Sequence, residues 1–274
     1  MEFLLWTLRV LCILCALFLF AVMPRARRKS AEPYASAEYA HRGLWGKGVA
    51  ENSLSAFALA AERGCGIELD VQLSSDGEVV VFHDESLLRV TGCDALVHDK
   101  DVAFLKTLRL SGTEDTLPTL REVLALVDGR VPLLVEIKSD YKWKEVCEKA
   151  AALLDGYKGA YCVESFHPLC VRWFRKHRPN VVRGQLSTRL WKENGKRTLS
   201  YAVVQNLLLN FCARPDFIAY DVKHRGYIAF LVCRLWRPYT LAWTVKTKEE
   251  LEAAERFDGV IFENEEIFWE ENER

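Results

Sequence analysis

Residues 66–83 read GIELDVQLSSDGEVVVFH. Side chains alternate along a strand, so the first half of this stretch turns Glu68 and Asp70 to the same side. The apolar run that follows predicts a second strand over 79–83. The link between the two is only Ser-Ser-Asp-Gly-Glu, whereas a parallel crossover needs about a dozen residues, so the second arm must return antiparallel as a hairpin. With Asp76 and Gly77 in the turn positions, Ser75 faces Glu78. Counting outward from there sets His83 opposite Asp70, beside both carboxylates.

Outward from this hairpin, strand-length apolar runs fall at 39–41, 133–137, 159–163, 181–186, 217–221, 241–245 and 259–262. Helical patterns separate most of them, at 53–62, 120–127, 143–154, 168–176, near 198–208, 228–234 and 248–256. Alternation of this kind predicts a parallel sheet. Counting the hairpin, the candidates number nine, and eight close a (β/α)8 barrel once the antiparallel arm 79–83 is set aside. Residues 84–117 then form a small insertion after the hairpin. The domain reading is an N-terminal membrane anchor over 1–24, a basic and polar linker over 25–38, and an α/β TIM-barrel domain over 39–274.

Barrel enzymes carry their working residues at the carboxyl ends of strands. The first strand ends His41-Arg42-Gly43, the second carries Glu68-Leu69-Asp70, the hairpin arm ends His83-Asp84, and the third barrel strand carries Glu136-Ile137-Lys138. Gathered at one site, the carboxylates of Glu68, Asp70 and Glu136 would repel unless compensated. A hard, oxygen-liganded cation such as Mg2+ or Ca2+, or else Mn2+, fits them. Arg42 and Lys138 add positive charge suited to a phosphate.

The order of these motifs, with AHRGLWGKGVAENSLSAFALAAERGCGIELDV, SSDGEVVVFHDESLLRVTG, LPTL, LLVEIK, Ser165-Phe166 and WTV at 243–245, closely resembles the glycerophosphodiester phosphodiesterase family from Tyr39 to about Ile261. The resemblance implies metal-dependent hydrolysis of glycerophosphodiesters to glycerol 3-phosphate and an alcohol. It implies that His41 and His83 are the general acid/base pair and that Glu68, Asp70 and Glu136 hold one divalent cation. It further implies phosphate contacts from Arg42 and Lys138, a pocket wall at Trp243, and support from Glu51 and Asn52, with Asn52 or Ser53 capping the next helix. Two departures stand out: Lys246 where the family has Asn, and Phe262-Glu263-Asn264 where it has Thr-Asp. Both are expected at the pocket rim, where they bear on substrate identity. A second His-Arg-Gly at 224–226 lacks downstream carboxylates and reads as a chance repeat on a loop.

Lys and Arg total 37 against 38 Asp and Glu, for a net charge of -1, and no basic patch suggests nucleic-acid binding. Residues 3–23 carry a single charge, Arg9, and are long enough to cross a hydrocarbon core as a helix. Pro24 stops the run, and Arg25, Arg27, Arg28 and Lys29 follow, as at the cytoplasmic end of a span. The nine cysteines show no pairing pattern and fit reduced thiols. Together these features predict a retained single-pass anchor with a cytoplasmic barrel. Alternatives are a lysophospholipase D acting on lysolipids and a catalytically inactive, membrane-tethered binding module. Nothing in the sequence specifies an oligomeric state.

Overall fold

The computed structural model describes residues 1–139 and 141–263. Nine strands lie in one sheet: β1 (Glu38–His41), β2 (Gly66–Leu73), β3 (Val79–Val81), β4 (Leu133–Ile137), β5 (Tyr161–Ser165), β6 (Val182–Ser187), β7 (Phe217–Asp221), β8 (Tyr239–Val245) and β9 (Gly259–Phe262). Eight are parallel, and the β1–β2 pairing closes them into a barrel, while β3 pairs antiparallel with the upper end of β2. An outer layer of helices faces the barrel: α2 (Leu54–Arg63), α3 (Leu120–Val127), α4 (Trp143–Asp155), α5 (Pro168–His177), α6 (Leu199–Gln205), α7 (Ile228–Cys233) and α8 (Lys248–Ala254). The N-terminal helix α1 (Glu2–Ala21) buries no residue of its own and meets this layer at its C-terminal end, where Phe18 packs and Phe20 lies 5.2 Å from Phe211. The helix expected near 198–208 is broken, because Leu207 turns left-handed with φ 56°; a second turn, Asn210–Ala213, follows it.

Local chemistry explains the helix starts. Ser53, not Asn52, caps α2 by accepting the Ala56 amide. Thr119 and Glu122 form a reciprocal capping box at α3. Between helices and sheet, Ile67, Leu69, Val71, Val135 and Ile137 pack against Phe57, Val123, Val146 and Leu154.

The hairpin departs from its expected register by one residue. Leu73 pairs with Val79 and Val71 with Val81, the Ser74 amide donates to the Glu78 carbonyl so that the loop holds three residues, and the Phe82 amide, not that of His83, donates to the Asp70 carbonyl. Ser74 is the cause: its hydroxyl accepts from the Glu78 amide at 2.9 Å and donates to Asp76, closing the turn one residue earlier, while Gly77 takes φ 80°. The chain leaves the ladder after Val81, and His83 turns into the barrel mouth all the same.

Inside the barrel the strands are layered. Tyr39, Leu134, Cys162, Phe217, Leu241 and Ile261 fill the lower layer. Gly184 is obligatory there, since a Cβ would lie 2.0 Å from the Phe217 ring. Two residues further along, the same inward positions carry His41, Glu136, Glu164, Trp243 and Glu263. The apolar layer therefore forms the floor on which the polar one stands.

The segment 25–38 folds onto the barrel floor. Arg28 grips the wholly buried Asp216 through two contacts of 2.8 Å, Arg27 reaches Asp258 at 2.8 Å and stacks on Tyr239, and Ala31 and Ala35 join the lower core. The insertion also has a core of its own, in which Val80 and Phe82 meet Leu87, Val90, Val97, Leu105, Leu110 and Leu117.

Candidate active site

The carboxyl ends of the strands surround a cavity of about 260 Å3 lined by His41, Arg42, Glu68, His83, Glu136, Glu164, Phe166 and Trp243, among others. Ligand oxygens of Glu68, Asp70 and Glu136 lie within 4.8 Å of one another, and all three residues are buried. Burial, with Asp70 and Glu136 beside it, pushes the Glu68 carboxyl well above its ordinary value. Burial also raises Glu136, in part offset by Lys138. Asp70 goes the other way: burial opposes its charge, but Lys138, His83 and Arg42 outweigh it and hold the group well below the usual range. A buried set of all-oxygen donors with excess negative charge fits a hard divalent cation.

Each site residue has a structural reason for its position. Arg42 takes a left-handed φ of 60°, which aims its amide at Glu68 Oε2, 2.9 Å away. Its guanidinium donates to Glu51 at 2.7 Å and lies 3.6 Å from Asp70. Asn52 donates from Nδ2 to Asp70 Oδ2 at 2.8 Å, so Glu51 and Asn52 both brace the triad. Lys138 stands behind the carboxylates, 3.0 Å from Glu136 and 3.2 Å from Asp70, and is absent from the cavity lining. Those two carboxylates raise its pKa, overcoming the cost of burial. Trp243 lines the wall, edge-on to Phe166 at 5.5 Å.

Both histidines are steered by carboxylates. His41 Nδ1 lies 3.2 Å from Glu263 Oε2 and His83 Nδ1 2.6 Å from Asp84 Oδ1. With Nδ1–H donated, each ring keeps Nε2 for the cavity. Burial lowers the pKa of His41, while the Glu263 hydrogen bond partly restores it. Glu263 is held down at about 2: burial opposes its charge, but His41 and Lys246, whose Nζ is 2.5 Å away, outweigh that. Asp84 is likewise lowered against burial by His83 and Arg89, and Arg89 also binds Glu51 at 2.6 Å.

Several working groups escaped the sequence reading. Glu263 Oε2 contacts His41 Nδ1 at 3.2 Å and Lys246 Nζ at 2.5 Å, and Lys246 lines the cavity; Asn264 lies outside the described residues. Glu164, level with Glu136 on the next strand, is buried with Oε2 unbonded, and burial, Glu136 and Asp70 raise its pKa well above the ordinary value. Its signal was present in the alternation Cys162-Val163-Glu164, which turns the carboxylate inward. His224 is not on an open loop. It ends a 3-10 turn, Val222–His224, buried against Asp221 and Thr188.

A model of the glycerophosphoryl diester phosphodiesterase family matches residues 41–261. A glycerophosphodiester phosphodiesterase of Caldanaerobacter subterraneus is 30% identical over 81% of this chain and 91% of its own length. One from Bacillus altitudinis is 36% identical, the match covering 52% of this chain and 63% of that protein. A human lysophospholipase D is 30% identical over 40% of this chain and 39% of its own length. Among solved structures, a glycerophosphodiester phosphodiesterase of Thermotoga maritima superposes with a TM-score of 0.64 at 28% identity, covering 87% of this chain and 98% of that one. An Oleispira antarctica phosphodiesterase bound to its product sn-glycerol-3-phosphate gives 0.70 at 22% identity, over 85% and 94%.

Proposed function

This chain belongs to the glycerophosphoryl diester phosphodiesterase family, and on that premise we propose that it hydrolyses glycerophosphodiesters to glycerol 3-phosphate and an alcohol at the barrel mouth. One observation carries the reading: three buried carboxylates within 4.8 Å of one another, flanked by two histidines each steered by its own carboxylate. Glu68, Asp70 and Glu136 would hold one Mg2+, Ca2+ or Mn2+, which supplies Lewis-acid stabilisation of the phosphoryl oxygens when bound. Arg42, whose Nε makes no hydrogen bond, adds positive charge from the cavity wall, and Lys138 adds it from behind the triad. His41 and His83 exchange protons with the nucleophile and the leaving alkoxide, one as base and one as acid. Phe166 and Trp243 offer an apolar wall for the leaving group.

Lysolipids are the second reading, and the surface around α1 favours it. This helix has 20 residues, none buried, with an apolarity and length suited to crossing a membrane. Its foot packs on the barrel flank, where Phe18 and Val22 meet Phe230, Cys233 and Leu207. The outer face of α7 beside it exposes Ile228, Leu231 and, just beyond, Leu235, while Ala229, Phe230 and Cys233 face inward. An anchor retained at 1–24 would bring this apolar strip to the lipid surface, with the barrel on the cytoplasmic side. Impermeant maleimide applied to intact cells tests the orientation: half-exposed Cys93 and Cys212 should resist labelling until lysis, and labelling before it refutes a cytoplasmic barrel.

A panel of glycerophosphocholine, glycerophosphoethanolamine, glycerophosphoglycerol and lysolipids, each with and without chelator, tests the activity. Chelator-sensitive release of glycerol 3-phosphate supports the first reading. Turnover confined to lysolipids favours the second, and no turnover of any phosphodiester refutes both.

A further inference from the structure

The second His-Arg-Gly motif lies against two carboxylates, Asp221 three residues before it and Glu193 from a distant helical turn. The His224 side chain is 5% exposed. Its Nδ1 lies 3.2 Å from Asp221 Oδ2 and 3.3 Å from Thr188 Oγ1, whose hydroxyl donates to the same carboxylate at 3.0 Å. Its Nε2 makes no hydrogen bond and lies 3.5 Å from Glu193 Oε1. Ligand atoms of Glu193, Asp221 and His224 fall within 4.8 Å of one another. Glu193 and Asp221 also line the catalytic cavity, on the wall where β7 ends.

We propose that Glu193 and His224 Nε2, with Asp221 orienting the imidazole from behind at Nδ1, form a second divalent-cation site, one that takes a borderline ion of the Zn2+ or Mn2+ class. An imidazole fixed at Nδ1 by a carboxylate, with a buried and unbonded Nε2, is the arrangement by which proteins present histidine to a metal. The carboxylates of Glu193 and Asp221 supply the compensating charge. The cation beside them, Lys223, directs Nζ to Glu250 at 3.5 Å instead. Glu193 is half-exposed, so its side chain can adjust to close on an ion. One imidazole nitrogen with a carboxylate oxygen favours Zn2+ or Mn2+ over Mg2+ and Ca2+, the reverse of the preference of the all-oxygen triad. An ion here would convert an acidic stretch of the cavity wall into one that attracts an anionic phosphodiester.

The test is equilibrium dialysis of the full chain in detergent against Zn2+, with excess Mg2+ present to fill the triad. The wild type should retain one Zn2+ per chain. Glu193→Gln and His224→Gln should each weaken that binding by at least about tenfold. Glu193 is exposed enough for its variant to keep the fold even if the buried histidine's does not. Glu68→Gln should leave Zn2+ binding unchanged, which separates this site from the proposed hydrolysis. Absence of Zn2+ from the wild type, or binding unaffected by Glu193→Gln, overturns the proposal. Loss of Zn2+ on Glu68→Gln alone overturns it too.

Discussion

Replacing Glu263 by Gln keeps the shape of the side chain and removes the charge that steers His41. The contact is 3.2 Å, and the two side chains are 16% and 17% exposed. A hydrogen bond to a charged group contributes about 1.5–3 kcal/mol, and partial exposure argues for the lower half of that range; at 1.36 kcal/mol per decade, kcat/KM should fall about 10- to 45-fold. The pH profile should also move. Burial already lowers the pKa of His41, and the Glu263 hydrogen bond raises it, so its loss lowers the pKa further. If His41 is the base, it must be unprotonated, and the acid limb of kcat/KM shifts to lower pH. If it is the acid, the alkaline limb shifts to lower pH instead. The limb that moves therefore identifies the role of His41. Lys246 loses its 2.5 Å partner in the same variant, but it is half-exposed and returns to water; Lys246→Gln combined with Glu263→Gln separates the two effects. An unchanged rate with neither limb displaced would refute the coupling of Glu263 to His41.

Other outcomes follow from the same geometry. His41→Ala and His83→Ala should each cost at least about a hundredfold in turnover without unfolding the chain, whereas His177→Ala, exposed at the end of α5, should be silent; equal losses in all three would undo the assignment. Lys246→Asn should alter preference among leaving alcohols more than overall rate, since it removes a cation from the cavity wall and frees Glu263 for His41; an equal loss on every substrate contradicts this. Arg28→Met leaves the buried Asp216 short of its bidentate partner and should cost about 1–3 kcal/mol, a drop of several degrees in melting temperature by circular dichroism. An unchanged melting curve would show that the 25–38 segment does not hold the barrel floor.

How much of this was legible in the sequence depended on the range of the signal. Alternation and connection length are local, and they sufficed for all nine strands and for the antiparallel sense of β3. The hairpin register turned on one hydroxyl, that of Ser74, which no alternation pattern reports. The triad of Glu68, Asp70 and Glu136 stands on neighbouring strands, so strand order alone brought it together. Glu263 reaches His41 only because the last strand closes on the first, a contact between residues 222 apart in the chain. Glu193 and His224 meet across a loop whose path the sequence does not encode by period or spacing. The basic cluster after Pro24 has the charge pattern expected beside a membrane. Its pairing with Asp216 and Asp258 depends on side chains at the foot of β7 and β9, invisible until the barrel is built.

The central claim is that a cation held by Glu68, Asp70 and Glu136 drives phosphodiester cleavage between His41 and His83. The most direct measurement is release of glycerol 3-phosphate from a glycerophosphodiester by the purified full chain, followed by 31P NMR after chelation and again after Mg2+, Ca2+ or Mn2+ is restored. The account predicts that chelation abolishes release, that the added cation recovers it, and that Glu136→Gln recovers little or none. Full activity in excess chelator, or undiminished recovery by Glu136→Gln, contradicts it.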